Sequence, residues 1–161
     1  MVEAAVKKNI MNLVIEADPA KGTGSLYLGG ILAIMDPLIV QELNITAILT
    51  LLSESTQKLE GFWGDHRIIP MEDAEGYDIS VQIQEGICFI DDHLLKGDNI
   101  IVHCMAGASR SPTIVIAYLM KKNLWTFDKA FAFTKEKRPR TKPNSYFVLK
   151  LKEFEKTLSL S

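Results

Sequence analysis

Cysteine is scarce in this chain: 161 residues hold only Cys88 and Cys104. Two thiols cannot build a disulfide scaffold, and they suit a reducing compartment, the cytoplasm with the nucleus also open. Histidine is also scarce, and His66, His93 and His103 are scattered without zinc-ligand spacing, so neither a metal nor another cofactor is expected. No apolar run approaches the roughly 18 residues of a membrane span. MVEAAVKKNI has no signal-peptide core, Val2 stands where N-myristoylation needs glycine, and the closing LSLS has no prenylation cysteine. A membrane anchor is therefore not expected. Positive charge is not in surplus either. The formal net charge of -2 argues against a nucleic-acid partner.

What is present is ordinary in bulk: 47% apolar and 24% charged residues, enough for one domain with its own core. SLYLGG (25–30) reads as a short strand closed by glycines. ITAILTLL (45–52) reads as a buried strand, and HRIIP as a brief one stopped by Pro70, with a polar surface loop between them. Asp78 and Ser80 offer capping oxygens to a helix in which Ile79, Ile83, Ile87, Ile90 and Leu94 recur at helical spacing. IIVHC is a strand, and residues 113–122 form a helix apolar on nearly every face, as suits a central element. Thr126 caps a further helix to about Lys137, and Phe147, Leu151, Phe154 and Leu158 stripe the last one. IMNLVIE, within an N-terminal extension of residues 1–24, reads as an edge strand pairing with SLYLG. The order predicts a single α/β domain: a central, mostly parallel, twisted sheet flanked by helices.

The chemistry gathers in NIIVHCMAGASRSPTIVIAYLM (99–120). A buried strand ends at His103-Cys104, small residues follow, and Arg110 precedes an apolar helix. In an open α/β sheet ligands bind beyond the carboxyl ends of the strands. Met105, Ala106, Gly107, Ala108 and Ser109 would form a loop whose successive N–H groups make an anion nest, with the Arg110 fork gripping two phosphate oxygens. The same donors favour thiolate over thiol at Cys104, so the loop both makes a nucleophile and binds its target. A cysteine that merely packs is the plain alternative, and the surrounding His, Gly and serines argue against it. Asp65, Glu72, Asp73, Glu75 and Asp78 are all candidate proton donors, and residue chemistry alone does not choose among them.

HCMAGASRS resembles the signature loop of the cysteine-dependent protein phosphatases. LYLGG, IIPMEDAEGYDI, FIDDHLLKGDNIIVHCMAGASRSPTIVIAYLM and RPRTKPNSYFVLKLKEFE resemble, in order, the dual-specificity branch. The resemblance covers most of residues 25–154, which implies a catalytic domain over 25–158 in a small, atypical member of the branch. It implies Cys104 as nucleophile, Arg110 as phosphate clamp and Ser111 as hydrogen-bond donor to the departing sulfur. His103 would buttress the loop, Asp73 would be general acid and then base, with Asp78 as helix cap, and Asn144 would hold the loop.

The implied activity is hydrolysis of phosphotyrosine, phosphoserine and phosphothreonine in phosphorylated protein substrates, through a cysteinyl-phosphate. Met105 and Ala108 are neutral where phosphoinositide phosphatases carry lysines, which leaves only a monophosphorylated ligand as a non-protein substrate. Lys137, Arg138, Arg140 and Lys142 would attract acidic phosphopeptides, or simply form a charged turn. Tyr77 reads as an exposed loop residue and Cys88 as a packed core thiol. Lys150 stands where relatives carry glutamine, which puts a water-positioning role there in doubt. A phosphoprotein-binding pseudophosphatase and a rhodanese-like sulfurtransferase are the competing readings.

Overall fold

Five strands form one sheet in the order β1-β2-β5-β3-β4. They are β1 (Met11–Ile15), β2 (Leu26–Gly29), β3 (Ile45–Thr50), β4 (Asp65–Ile68) and β5 (Asn99–His103) in a computed structural model that describes residues 2–7 and 9–158. β2, β5, β3 and β4 run parallel, and β1 adds an antiparallel edge on β2. The edge strand expected from IMNLVIE is thus observed.

Both faces of the sheet are covered, which explains the near-continuous apolar runs of β3 and β5. On one face Leu28, Leu49, Ile100 and Val102 pack against α4 (Ser80–Leu95), α5 (Arg110–Asn123), α6 (Phe127–Lys137) and α7 (Ser145–Thr157). On the other, Met11, Ile48 and Ile101 meet α1 (Val2–Lys7), α2 (Leu32–Met35) and α3 (Pro37–Glu42). α5 is buried at every position from Ser111 to Met120, so its lack of a polar face follows from its central place.

Four elements depart from the sequence reading. α5 begins at Arg110 rather than Thr113, because the Thr113 N–H and hydroxyl both donate to the Ser109 carbonyl and pull the first turn back to the loop. α2 and α3 carry too short a periodicity to read, although Asp36, which accepts from Leu38 N at 3.0 Å ahead of Pro37, is a legible start signal. At α4 the N-cap position is Ile79, and Asp78 takes the Ser80 N–H at 3.0 Å from one residue earlier.

Register sets the site. Gly29, His103 and Thr50 are neighbours across β2, β5 and β3, all at the carboxyl edge. At the amino edge, His93 bridges Asp98 at 2.7 Å and Asp65 at 2.8 Å, pinning the end of α4 to the starts of β5 and β4.

Candidate active site

Cys104 follows the last residue of β5 and is buried, with its Sγ 3.2 Å from the Ser111 hydroxyl. The loop above it is defined by where its carbonyls go. Cys104 O accepts from His103 Nδ1, Met105 O from Ile31 N, Ala106 O and Gly107 O from Arg138, Ala108 O from Lys142 N, and Ser109 O from Thr113. All described peptide bonds are trans, so each N–H lies antiparallel to the carbonyl of its own peptide unit. Six carbonyls tied outward therefore turn the amides of residues 105–110 inward, over the sulfur. Gly107 adopts φ +67°, and a Cβ there would sit 2.5 Å from the Gly29 carbonyl carbon. Only glycine fits this crossing of the loop over β2.

Ser111 has one hydroxyl proton and two acceptors, Sγ and the Gly29 carbonyl at 3.2 Å. With a thiol, Sγ–H donates to Ser111 and Ser111 to Gly29. With a thiolate, the hydroxyl turns to the sulfur.

The segment carrying Asp73 and Glu75 meets the loop before α5 and the start of α7. Asp73 is exposed, and its Oδ1 accepts from the Ser109 hydroxyl at 2.7 Å and from Asn144 Nδ2 at 2.9 Å. Asn144 also gives its backbone N–H to Ser109 Oγ at 3.0 Å and caps α7 by accepting from Phe147 N. Arg110, half-buried at the start of α5, donates to the Met71 carbonyl at 3.2 Å, which ties it to the segment carrying Asp73. The structure thus brings Asp73, Ser109 and Asn144 together, with Arg110 tied to the same segment through Met71.

Behind the loop, His103 is fully buried, and burial pushes its pKa down to about 4. It is a neutral ring, with Nε2 2.6 Å from the Thr50 hydroxyl.

Arg138 is the residue that the charged turn concealed. It does not face solvent to attract peptides: it is 0% exposed, and burial lowers its pKa to about 10. Nε donates to Gly107 O at 2.7 Å and Nη2 to Ala106 O at 3.2 Å, while Nη1 reaches Asn9 O and Asn12 Oδ1. One guanidinium therefore aims two loop peptides and ties them to the edge strand. Lys137, Arg140 and Lys142 stay exposed. The RP that begins RPRTKP was the available signal, since a proline after arginine disfavours helical backbone at the arginine and ends α6 there.

Two further expectations change. Tyr77 is half-buried and donates to the Pro70 carbonyl at 3.4 Å, so it is not an exposed loop residue. Cys88 is exposed on α4 rather than packed in the core. Lys150 pairs with Glu153 at 3.1 Å and lies over the Tyr146 ring, lining a groove beside Ile79 and Cys88. No group of three or more potential metal ligands occurs among the described residues.

An inward ring of amides with an arginine at its edge, at the carboxyl end of a doubly covered parallel sheet, defines a phosphate-handling α/β domain. Comparison with known proteins gives the class its family. A family model described as dual specificity phosphatase, catalytic domain, matches residues 26–157, and the chain belongs to that family. It is similar to dual specificity protein phosphatase 1 of Arabidopsis thaliana, 35% identical over 136 residues, covering 84% of this chain and 68% of that one. The human protein of the same name is 38% identical over 130 residues, covering 81% of this chain but 35% of that one. The chain thus spans about two thirds of the plant relative and about a third of the human one. Among solved structures, the crystal structure of DUSP15 superposes with a TM-score of 0.76 at 35% identity, covering 81% of this chain and 82% of that one. The chain is an enzyme of the phosphatase class by this membership. No helix among the described residues is long and apolar enough to cross a membrane.

Proposed function

We propose that the chain hydrolyses phosphate monoesters on tyrosine and on serine or threonine of proteins, through a cysteinyl-phosphate on Cys104. The observation that carries this reading is the ring of outward-tied carbonyls, which leaves the amides of residues 105–110 free for three phosphate oxygens and a thiolate. Cys104 Sγ attacks phosphorus, the bond to the leaving oxygen breaks, and Asp73 gives that oxygen its proton. The Arg110 fork grips the transferring phosphoryl group. Asp73 then takes a proton from water as the water attacks phosphorus, and the sulfur departs as thiolate onto the Ser111 hydroxyl. Ser109 and Asn144 hold the Asp73 carboxyl at the mouth, and the exposed Lys137, Arg140 and Lys142 favour acidic phosphopeptides. Both free cysteines suit a reducing compartment, the cytoplasm first.

The test is release of p-nitrophenol from p-nitrophenyl phosphate, in EDTA, by the native chain and by Cys104→Ser. Turnover that vanishes in the variant supports the reading. No turnover from folded, reduced native protein contradicts it, and phosphopeptide binding without phosphate release would then identify a binding protein.

A further inference from the structure

Two side chains outside the signature loop form a directional chain that ends on the nucleophile's own carbonyl. Leu59 N–H, in the loop before β4, donates to His66 Nδ1 at 2.9 Å. A backbone amide can only donate, so His66 Nδ1 carries no proton and the neutral ring is protonated at Nε2. That Nε2–H lies 2.7 Å from the Thr50 hydroxyl, which must then point its own proton at His103 Nε2, 2.6 Å away. His103 is left with its proton on Nδ1, 3.1 Å from Cys104 O, and a carbonyl can only accept. Backbone groups at both ends fix every proton between them.

We propose that Thr50 and His66 are positioning residues for the nucleophile: together with Leu59 N–H they lock the His103 tautomer that holds the Cys104 carbonyl away from the sulfur. This extends the proposed role of Cys104 and rests on it. The lock matters because the Cys104 carbonyl and the Met105 N–H belong to one peptide unit, so freeing the carbonyl lets that amide swing away from the thiolate. The lock also requires both rings to be neutral. A proton on His66 Nδ1 would set two donors against each other at Leu59.

The surroundings agree. Burial lowers the pKa of both imidazoles, and Lys58 adds to this at His66 while Asp65 opposes it. A proton on His66 would further disfavour one on His103. A hollow of about 240 Å³ between α2 and residues 56–60 is lined by Thr50, His66 and His103. The chain is therefore coupled to the loop carrying Leu59 as well as to the sheet.

The experiment reads the thiolate directly, apart from turnover. In a Cys88→Ser background, which removes the exposed thiol, the ultraviolet absorbance of the Cys104 thiolate is titrated against pH. Thr50→Val and His66→Phe are expected to lower the thiolate fraction on the acid limb about tenfold, the loss of roughly one hydrogen bond. Thr50→Ser keeps the hydroxyl, and His66→Gln supplies an amide N–H in place of Nε2–H. Both are expected to titrate like the parent. An unchanged titration in folded Thr50→Val and His66→Phe overturns the proposal, as does a His66→Gln shift equal to that of His66→Phe. Should Thr50→Val fail to fold, the His66→Phe and His66→Gln pair alone decides. A shift in a protein without p-nitrophenyl phosphate turnover would uphold the lock while rejecting the proposed activity.

Discussion

Replacing Arg138 with methionine separates the two roles open to a basic turn. Methionine keeps most of the buried stem and removes the fork. Four acceptors lose their donor: Gly107 O, Ala106 O, Asn9 O and Asn12 Oδ1. An acceptor stranded in the interior costs about 1 kcal/mol or more, and water can reach the Asn9 and Asn12 side to soften that loss. Relief of the desolvation that lowers the Arg138 pKa to about 10 works in the opposite direction. The two loop carbonyls decide the sign, since Arg138 is their donor among the described residues, and the net cost is about 2–3 kcal/mol. For a chain of this size that lowers Tm by roughly 5–10 °C. The activity loss should be larger than a folding defect explains. The amides of Gly107 and Ala108 lose their aim, and one misdirected donor in such a cradle costs on the order of 100-fold in rate. Thermal unfolding and kcat/KM for p-nitrophenyl phosphate, each at low and high salt, provide the assay. A surface cation would show a change in KM that disappears with salt. That pattern, with Tm unchanged, would refute the buried strut.

Three other outcomes are expected. His103 has its pKa depressed from 6.5 to about 4 by burial, so the unfolded chain binds more protons between those values and stability rises with pH across them. About 3 kcal/mol present above pH 6.5 should be lost on the way to pH 4, and urea midpoints that stay flat over that window would contradict it. Asp73→Asn should cost far more rate with a phenyl phosphate than with an activated ester; equal losses with the two esters would point to another acid. Gly107→Ala puts a Cβ at φ +67°, 2.6 Å from Arg138 Nη2 and against the Gly29 backbone, and should cut kcat/KM at least tenfold. Near-native kinetics from that variant would mean that the loop does not sit down on β2.

The sheet was legible because its information is local. ITAILTLL and IIVHC are runs whose burial on both faces needs no knowledge of the partner strand, and the observed register turns them into the β3–β5 centre. HCMAGASRS was legible for the same reason, as spacing within nine residues. Asp73 was visible only through family likeness, because each of the five carboxylates read as a solvated loop acid and what marks Asp73 is a contact with Ser109 and Asn144, distant in sequence. Arg138 looked like one charge in a basic turn, yet its acceptors lie about 30 and 130 residues away. Thr50 and His66 belonged to strand patterns in which a polar residue reads as an exception. Their roles arise from lateral register, which no single segment carries.

The central claim is that phosphorus becomes bonded to Cys104. The direct measurement is the intact mass and peptide map of Asp73→Asn protein quenched in acid seconds after mixing with p-nitrophenyl phosphate. With the proposed base removed, the intermediate should persist in this variant. The account predicts one added phosphoryl group, mapped to Cys104 and absent from Cys104→Ser. Burst release of p-nitrophenol with no phosphoryl group on Cys104 would contradict it.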